Sequence, residues 1–324
     1  MQAKKIKQTL ENANNIAIFG HQSIDWDAIG SMFWLGRQLE KLWKKISYFT
    51  PDEPSKIFNF LPIENLQTEF DYGNYDLIVF TDFSTYDMIR KFTTVHEDYF
   101  NQKQKVIIDH HIFKESLPNC VEFRDDSSIS AAQLVFELTT QRWLDLIDWQ
   151  TATFLLTWLM TDSWNFRYDE WYESIRVSGN NLALLEKWAK KKLIIDHIFR
   201  SKSYEDLEFM QIILGRMQKL EDIVYSRYSQ EELDSFWLHP DSADYALYLL
   251  CDIESQDLVI LWKEKDDCVK FSLRAKGKYN CRDVATVFGW WWHANAAWCS
   301  VEKTWKLEED VVDFVHKVKK LIHK

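Results

Sequence analysis

Eight residues of this chain have the side chains and the spacing to do chemistry together. His21, Asp25 and Asp27 follow the apolar run Ile16–Phe19, and Asp82 follows Leu77–Phe80. Asp109, His110 and His111 follow Val106–Ile108, and Asp162 closes the apolar stretch Thr151–Met160. Each alone has an ordinary explanation. An Asp just after a strand is often a helix N-cap, and Asp27 fits that description. A single His near a strand end is more often structural than a ligand. Four acidic or His clusters at four element ends are harder to dismiss. Carboxylates crowded into one crevice repel unless cations neutralise them, and mixed Asp/His sets suit Mn²⁺, Mg²⁺ or Fe²⁺ better than a thiolate-seeking metal. Two such ions about 3.5–4 Å apart clamp the attacking and leaving oxygens in phosphoester displacement.

The runs that carry these residues read as buried strands, because they are short, continuous and apolar. Helical patterns follow or lie between them, at Asp27–Lys45 and Ser128–Thr140. That alternation predicts an α/β fold, a parallel sheet with crossover helices whose ligands bind outside the carboxyl ends of the strands. Past a lysine-rich stretch, Lys187–Lys192, and a helical Ser203–Glu221, the pattern changes. Tyr245–Cys251, Leu258–Trp262 and Val269–Leu273 are spaced like strands of a smaller sheet, with helices at Cys281–Phe288 and Glu308–His323. The expected division is a metal-binding domain over 1–190, a helical connector over 191–220 and a smaller α/β domain over 221–324.

Composition removes several classes. With 324 residues, 46% hydrophobic and 27% charged, the chain is neither low-complexity nor disordered. No apolar run approaches the roughly 20 residues of a membrane span, and the lysine-rich start lacks an apolar signal core. A net charge of −11 argues against a whole-surface grip on duplex DNA. Five scattered cysteines without CxxC spacing argue against a disulfide framework or a zinc ribbon. A cytoplasmic protein is expected.

The residues also resemble a family. His21-x-x-x-Asp25-x-Asp27-Ala28-Ile29-Gly30-Ser31, then Asp82, then Asp109-His110-His111, then Thr161-Asp162-Ser163-Trp164-Asn165-Phe166-Arg167-Tyr168 resemble the four motifs of the DHH phosphoesterases. Phe271-Ser272-Leu273-Arg274 and Gly289-Trp290-Trp291-Trp292-His293-Ala294-Asn295-Ala296-Ala297 resemble the DHH-associated C-terminal domain, whose signature is a glycine run before His. A DHH triplet alone would be weak, but the motifs stand in order over nearly the whole chain. The two-domain length is similar to the oligoribonuclease and pAp-phosphatase branch rather than to the longer RecJ-type exonucleases.

The resemblance implies an active site in the cleft between two domains, and a role for each residue. His21 and Asp25 would hold one metal, Asp27, His110 and Asp162 the other, and Asp82 would bridge them. The metals would be two Mn²⁺, with Mg²⁺ as the alternative, and a water between them would be the nucleophile. His111 would face the substrate phosphate, with Asp109 orienting its neighbours. Arg274 and His293, with Gly289 and Asn295, would bind the terminal phosphate or ribose. The implied substrates are short single-stranded oligoribonucleotides and pAp, with duplexes and membranes excluded and a homodimer as the assembly. Two other readings stay open: a cyclic-dinucleotide phosphodiesterase of the same fold, and a catalytically impaired nucleotide-binding protein.

Tryptophan departs from the pattern. Glycine numbers 8 and tryptophan 16; glycine is about 2.5% of the chain, and the two together reach about 7.4%, close to the usual share of glycine alone. Trp26 stands between two ligand positions, Trp164 just after Asp162, and Trp290, Trp291, Trp292 and Trp298 in the C-terminal loop, where the family has glycine. Trp34, Trp43, Trp158 and Trp188 fall where turns or tight helix packing favour a small residue, while Trp237 and Trp262 read as genuine. Stacking rings could form a platform for unpaired bases. Glycine loops beside phosphates, however, rely on φ > 0 and close backbone approach, which an indole forbids. The expectation is that UGA codons read as glycine by the organism stand translated here as tryptophan.

Overall fold

A computed structural model describes residues 2–111, 117–126, 128, 130–143, 147–162, 183–239, 242–276, 279–288, 296–303 and 314–318. The chain divides into two compact units, Met1–Ser201 and Lys202–Lys324.

The first unit is built on six parallel strands: β1 (Asn15–Phe19), β2 (Lys45–Phe49), β3 (Leu66–Gln67), β4 (Leu77–Thr81), β5 (Lys105–Asp109) and β6 (Cys120–Arg124). Their order across the sheet is β3-β2-β1-β4-β5-β6. The chain therefore runs outward from β1 to β3, then returns to lay β4 against the other side of β1. That reversal makes the β1–β4 boundary the topological switch point, where the carboxyl ends of the strands leave a crevice.

Alternation along the strands sorts two cores. Ile16, Ile18, Leu77, Val79, Val106 and Ile108 face one side and join Ile29, Phe33, Leu134, Leu155 and Leu159. These last come from the helices α2 (Trp26–Lys41), α4 (Ala131–Trp143) and α5 (Trp149–Asp162). Ala17, Phe19, Ile78, Phe80 and Ile107 face the other side, in an aromatic cluster with Phe92 and Phe100 of α3 (Arg90–Gln102). Helix α1 (Gln2–Asn12) adds Ile6 and Leu10 to the first core. Strands buried on both faces explain why the runs lack polar alternation.

Helix α2 starts where Asp25, in extended conformation, accepts a hydrogen bond from the Ala28 N–H at 3.0 Å. Asp25, not Asp27, is therefore the cap. The helix ends at Lys41 and Lys45 opens β2, so the helical reading to Lys45 overshoots. Trp34 and Trp158 are buried between helices; the Trp34 indole N–H donates to Thr139 Oγ1 at 2.7 Å. A Cβ placed on Gly30 would lie 3.0 Å from that of Trp158, so α2 passes α5 at a glycine.

The expected connector 191–220 divides between the units, with a helical Lys191–Phe199 in the first and α7 (Tyr204–Gly215) in the second. Counting the short helix Lys191–Ile194 as α6, the second unit continues with α8 (Gln230–Ser235), α9 (Ser242–Cys251) and α10 (Cys281–Val287). Its sheet, ordered β11-β10-β9-β8-β7, comprises β7 (Gln218–Leu220), β8 (Ile223–Ser229), β9 (Leu258–Glu264), β10 (Cys268–Ala275) and β11 (Ala296–Glu302). Residues 245–251, expected as a strand, are helical within α9. Ser242, Ala243, Ala246, Leu247, Leu250 and Cys251 are its buried residues, with spacings of three and four that a helix puts on one face. Helix α7 also stops short of Glu221, because Gln218–Leu220 pairs antiparallel with β8. Of the helix expected at Glu308–His323, residues 314–318 are described and helical.

Candidate metal centre

Three adjacent strands deliver the cluster. His21 follows β1, Asp82 follows β4, and His110 and His111 follow β5, so the switch point gathers residues spread over 90 positions of the sequence.

Asp82 lies at the centre. Its Oδ2 is 3.3 Å from His21 Nε2, and its Oδ1 is 3.5 Å from both His110 Nε2 and His111 Nδ1. The residue has φ 54°, a left-handed conformation that non-glycine residues rarely adopt, and Asp tolerates it better than most. The Asp82 N–H donates to the Ile108 carbonyl at 3.0 Å, which fixes that turn to β5. Asp82 Oδ1 is buried without a hydrogen-bond partner. A buried carboxylate oxygen left so costs a few kcal/mol unless a cation lies against it.

Both imidazoles are oriented by their far nitrogens. His21 Nδ1 donates to the Gln22 carbonyl at 2.8 Å, and His110 Nδ1 donates to the Ser128 carbonyl at 3.2 Å. That leaves each Nε2 to face carboxylates: His21 toward Asp25 Oδ1 at 3.6 Å, His110 toward Asp27 Oδ2 at 3.7 Å. An imidazole anchored at one nitrogen with the other turned to acidic oxygens is how metal-binding histidines are held. The donor set therefore fits divalent cations. Ligand atoms of His21, Asp25 and Asp82 lie within 4.8 Å of one another, and so do those of Asp82, His110 and His111.

Asp27 is held from a distant element. Its Oδ2 and Oδ1 accept hydrogen bonds, each 2.8 Å long, from the Ala131 and Ala132 N–H groups at the start of α4. It thus serves a helix N-terminus, though of α4 rather than of its own helix. Trp26, beside it in sequence, packs its ring on Phe58 at 4.3 Å between centroids.

His111 is set apart from the other two. Its Nδ1 donates to Asp109 Oδ1 at 2.7 Å. Asp109 is fully buried, and the Arg124 guanidinium donates to its Oδ2 while also reaching the Phe83 carbonyl at 3.3 Å. Arg124 stands opposite Asp109 in the β5–β6 register, and its Nε donates to Glu122 Oε2 at 3.1 Å. Nothing in the sequence singled out Arg124, since its role depends on a strand pairing with no local pattern.

Asp162 ends α5, and its side chain lies outside the described residues, as do Gly289, His293 and Asn295 and the tryptophans Trp164 and Trp290–Trp292. Arg274 is on β10 of the second unit, its guanidinium 5.8 Å from the Tyr248 ring centroid on α9. Trp298, expected in a loop, lies within β11 opposite Ser272, its ring 4.6 Å from Lys270 Nζ.

Electrostatics agree with the geometry. Burial and the neighbouring Asp82 raise Asp27 to about 8, despite its two backbone donors. Burial would lower His110, yet the neighbouring Asp82 carboxylate raises it to about 10. His21 is likewise raised by Asp25 and Asp82 against its burial. Burial would raise Asp82, but His110 and His21 hold it well below the usual carboxylate range. Without cations, protons on Asp27 and the histidines neutralise the cluster.

Fold and cluster together define an α/β protein with a carboxylate–histidine centre for divalent cations at a switch point. Residues 15–158 match the DHH family, N-terminal domain. A bifunctional oligoribonuclease and PAP phosphatase NrnA from Mycoplasma genitalium is 22% identical over 312 residues, 95% of each chain. A protein of the same name from Thermus thermophilus is 26% identical over 288 residues, 87% of this chain and 82% of its own. A crystal structure of an exopolyphosphatase-related protein from Bacteroides fragilis has the same fold, with a TM-score of 0.87 at 22% identity, covering 100% of this chain and 98% of its own.

Two predictions follow from the protonation and the anchoring. Folded Asp27 at about 8 and His110 at about 10 bind protons that the unfolded chain, with ordinary values of 3.8 and 6.5, has already released. Stability of the metal-free protein must then fall as pH rises from about 7 to 9. Mn²⁺ replaces those protons, so Tm should fall with pH in chelator and much less in Mn²⁺; parallel profiles would contradict the assignment. Arg124→Met should lower kcat about 10- to 100-fold by releasing Asp109 and His111, with Arg124→Lys recovering part of the loss. A Met variant of normal kcat would show that Arg124 only stabilises the fold.

Proposed function

We propose that this chain is a metal-dependent phosphoesterase that degrades short oligoribonucleotides and removes a phosphate from pAp. The observation that carries this reading is the buried carboxylate of Asp82, whose two oxygens face His21 on one side and His110 on the other. The names of the relatives support the substrate class.

His21, Asp25 and Asp82 would hold one cation, and Asp27, Asp82, His110 and Asp162 a second. Mn²⁺ is the proposed metal, with Mg²⁺ as alternative. When bound, the pair supplies charge neutralisation for the phosphate and a water of lowered pKa. His111 turns its Nε2 to the phosphate, because Asp109 engages Nδ1, and it can donate a hydrogen bond or a proton there. Arg274, with His293, Gly289 and Asn295, would bind the terminal phosphate or ribose.

A net charge of −11 supports substrates with few phosphates over duplexes. Five free cysteines support a cytoplasmic enzyme. A homodimer is the proposed assembly.

The test is product analysis on labelled di- to pentaribonucleotides, pAp and a cyclic dinucleotide with Mn²⁺. Mononucleotides from the short RNAs and AMP from pAp are expected, with the cyclic compound left intact; cleavage of the cyclic compound alone would refute the assignment. Asp82→Ala should lose several orders of magnitude in rate while keeping the fold. Arg274→Ala should weaken turnover of short nucleotides more than that of bis-p-nitrophenyl phosphate, which offers no nucleoside to hold. Equal losses on both would remove Arg274 from the substrate site.

A further inference from the structure

Three tryptophans occupy the backbone position that most requires glycine. Trp43, Trp188 and Trp237 have φ of 63°, 66° and 57°, in the left-handed region. Each is the second residue beyond a helix end: after α2 at Lys41, after the helical residues 183–186, and after α8 at Ser235. The hydrogen bonds are the same at all three. The Trp43 N–H donates to Glu40 O at 2.9 Å and Lys44 N–H to Leu39 O at 3.1 Å. Trp188 and Ala189 donate to Leu185 and Leu184 at 3.0 and 3.2 Å, and Trp237 and Leu238 to Asp234 and Leu233 at 3.0 and 3.4 Å. This paired 5→2 and 6→1 pattern closes a helix through a left-handed residue, and glycine is favoured there because a Cβ crowds the neighbouring carbonyl.

The side chains return nothing for that strain. The three tryptophans are 95%, 77% and 95% exposed. Trp237, which the sequence placed among the genuine tryptophans, is as exposed as Trp43. Meanwhile, none of the described glycines, Gly20, Gly30, Gly36, Gly73 and Gly215, has φ in the left-handed region. Tryptophan supplies three of the eight described non-glycine residues that do. In this chain tryptophan takes the place where glycine belongs, as the composition also indicates.

We propose that the native protein carries glycine at positions 43, 188 and 237, because its gene encodes them with UGA and its source reads UGA as glycine. A one-for-one exchange of two unlike residues points to a single codon, and UGA differs by one base from the glycine codon GGA. Trp262 provides the contrast. It lies in the middle of β9, 4% exposed, and packs in the core of the second unit, where a glycine would leave a cavity. It is encoded by UGG.

The inference rests on backbone geometry and composition, and is independent of the catalytic assignment. Its test is the coding sequence together with peptide mass spectra of the protein from its source cells. UGA codons and glycine masses are expected at 43, 188 and 237, with UGG and tryptophan at 262. Tryptophan masses at the three helix ends would overturn it, as would a glycine mass at 262. A recombinant chain with tryptophan at all three provides the physical test. Trp43→Gly, Trp188→Gly and Trp237→Gly should each raise Tm by about 2–4 °C. The matching alanine variants should gain little, since they keep the Cβ. Equal gains from alanine would show that exposure of the indole, not the backbone, is what matters, and would remove the structural ground for glycine.

Discussion

The structure depends on one buried carboxylate that can be neither solvated nor left alone. Asp82 sits at the carboxyl end of β4 with an oxygen toward each of two imidazoles, in a left-handed backbone conformation tied to β5 through its N–H. Asp27 shares His110 with it, so two carboxylates repel by a few kcal/mol at an effective dielectric constant of about 20. The N-terminus of α4 offers Asp27 about 1–2 kcal/mol in return, which is too little to keep it charged. Positive charge must come from elsewhere. Protons provide it in the metal-free protein, and divalent cations do so in the enzyme proposed here. The helix layer follows from this need: α2 carries Asp27, α4 presents its first N–H groups to it, and both pack on the sheet face that β1, β4 and β5 share.

A second chain of contacts runs behind the first. Arg124 holds Asp109, Asp109 holds His111, and the register of β5 with β6 brings the first two together. This chain fixes the His111 ring through its Nδ1, as backbone carbonyls fix the rings of His21 and His110.

Much of this is legible in the sequence. Short apolar runs ending in Asp or His predict parallel strands whose ends share a crevice, and β1, β4 and β5 are those runs. The capping residue of α2 was misassigned because Asp25 and Asp27 both suit a cap locally, and only the position of α4 separates them. Residues 245–251 misled for a related reason. Tyr, Leu and Cys side chains satisfy a strand pattern over seven residues, and the helical spacing emerges only in the burial of Ala246, Leu247, Leu250 and Cys251. Arg124 was illegible because strand pairing across intervening residues leaves no local trace. Trp237 looked apolar in context, whereas its backbone angle assigns it to a helix end. Local propensity reports what a residue prefers, and a left-handed angle reports what the chain demands.

The central claim is that Asp82 joins two cation positions into one centre. The most direct measurement is electron paramagnetic resonance of the protein loaded with two equivalents of Mn²⁺. Ions about 3.5–4 Å apart that share a carboxylate should give a spin-coupled spectrum, and Asp82→Asn should convert it to the signal of isolated ions. An uncoupled Mn²⁺ spectrum from the unaltered protein at full loading would contradict the account.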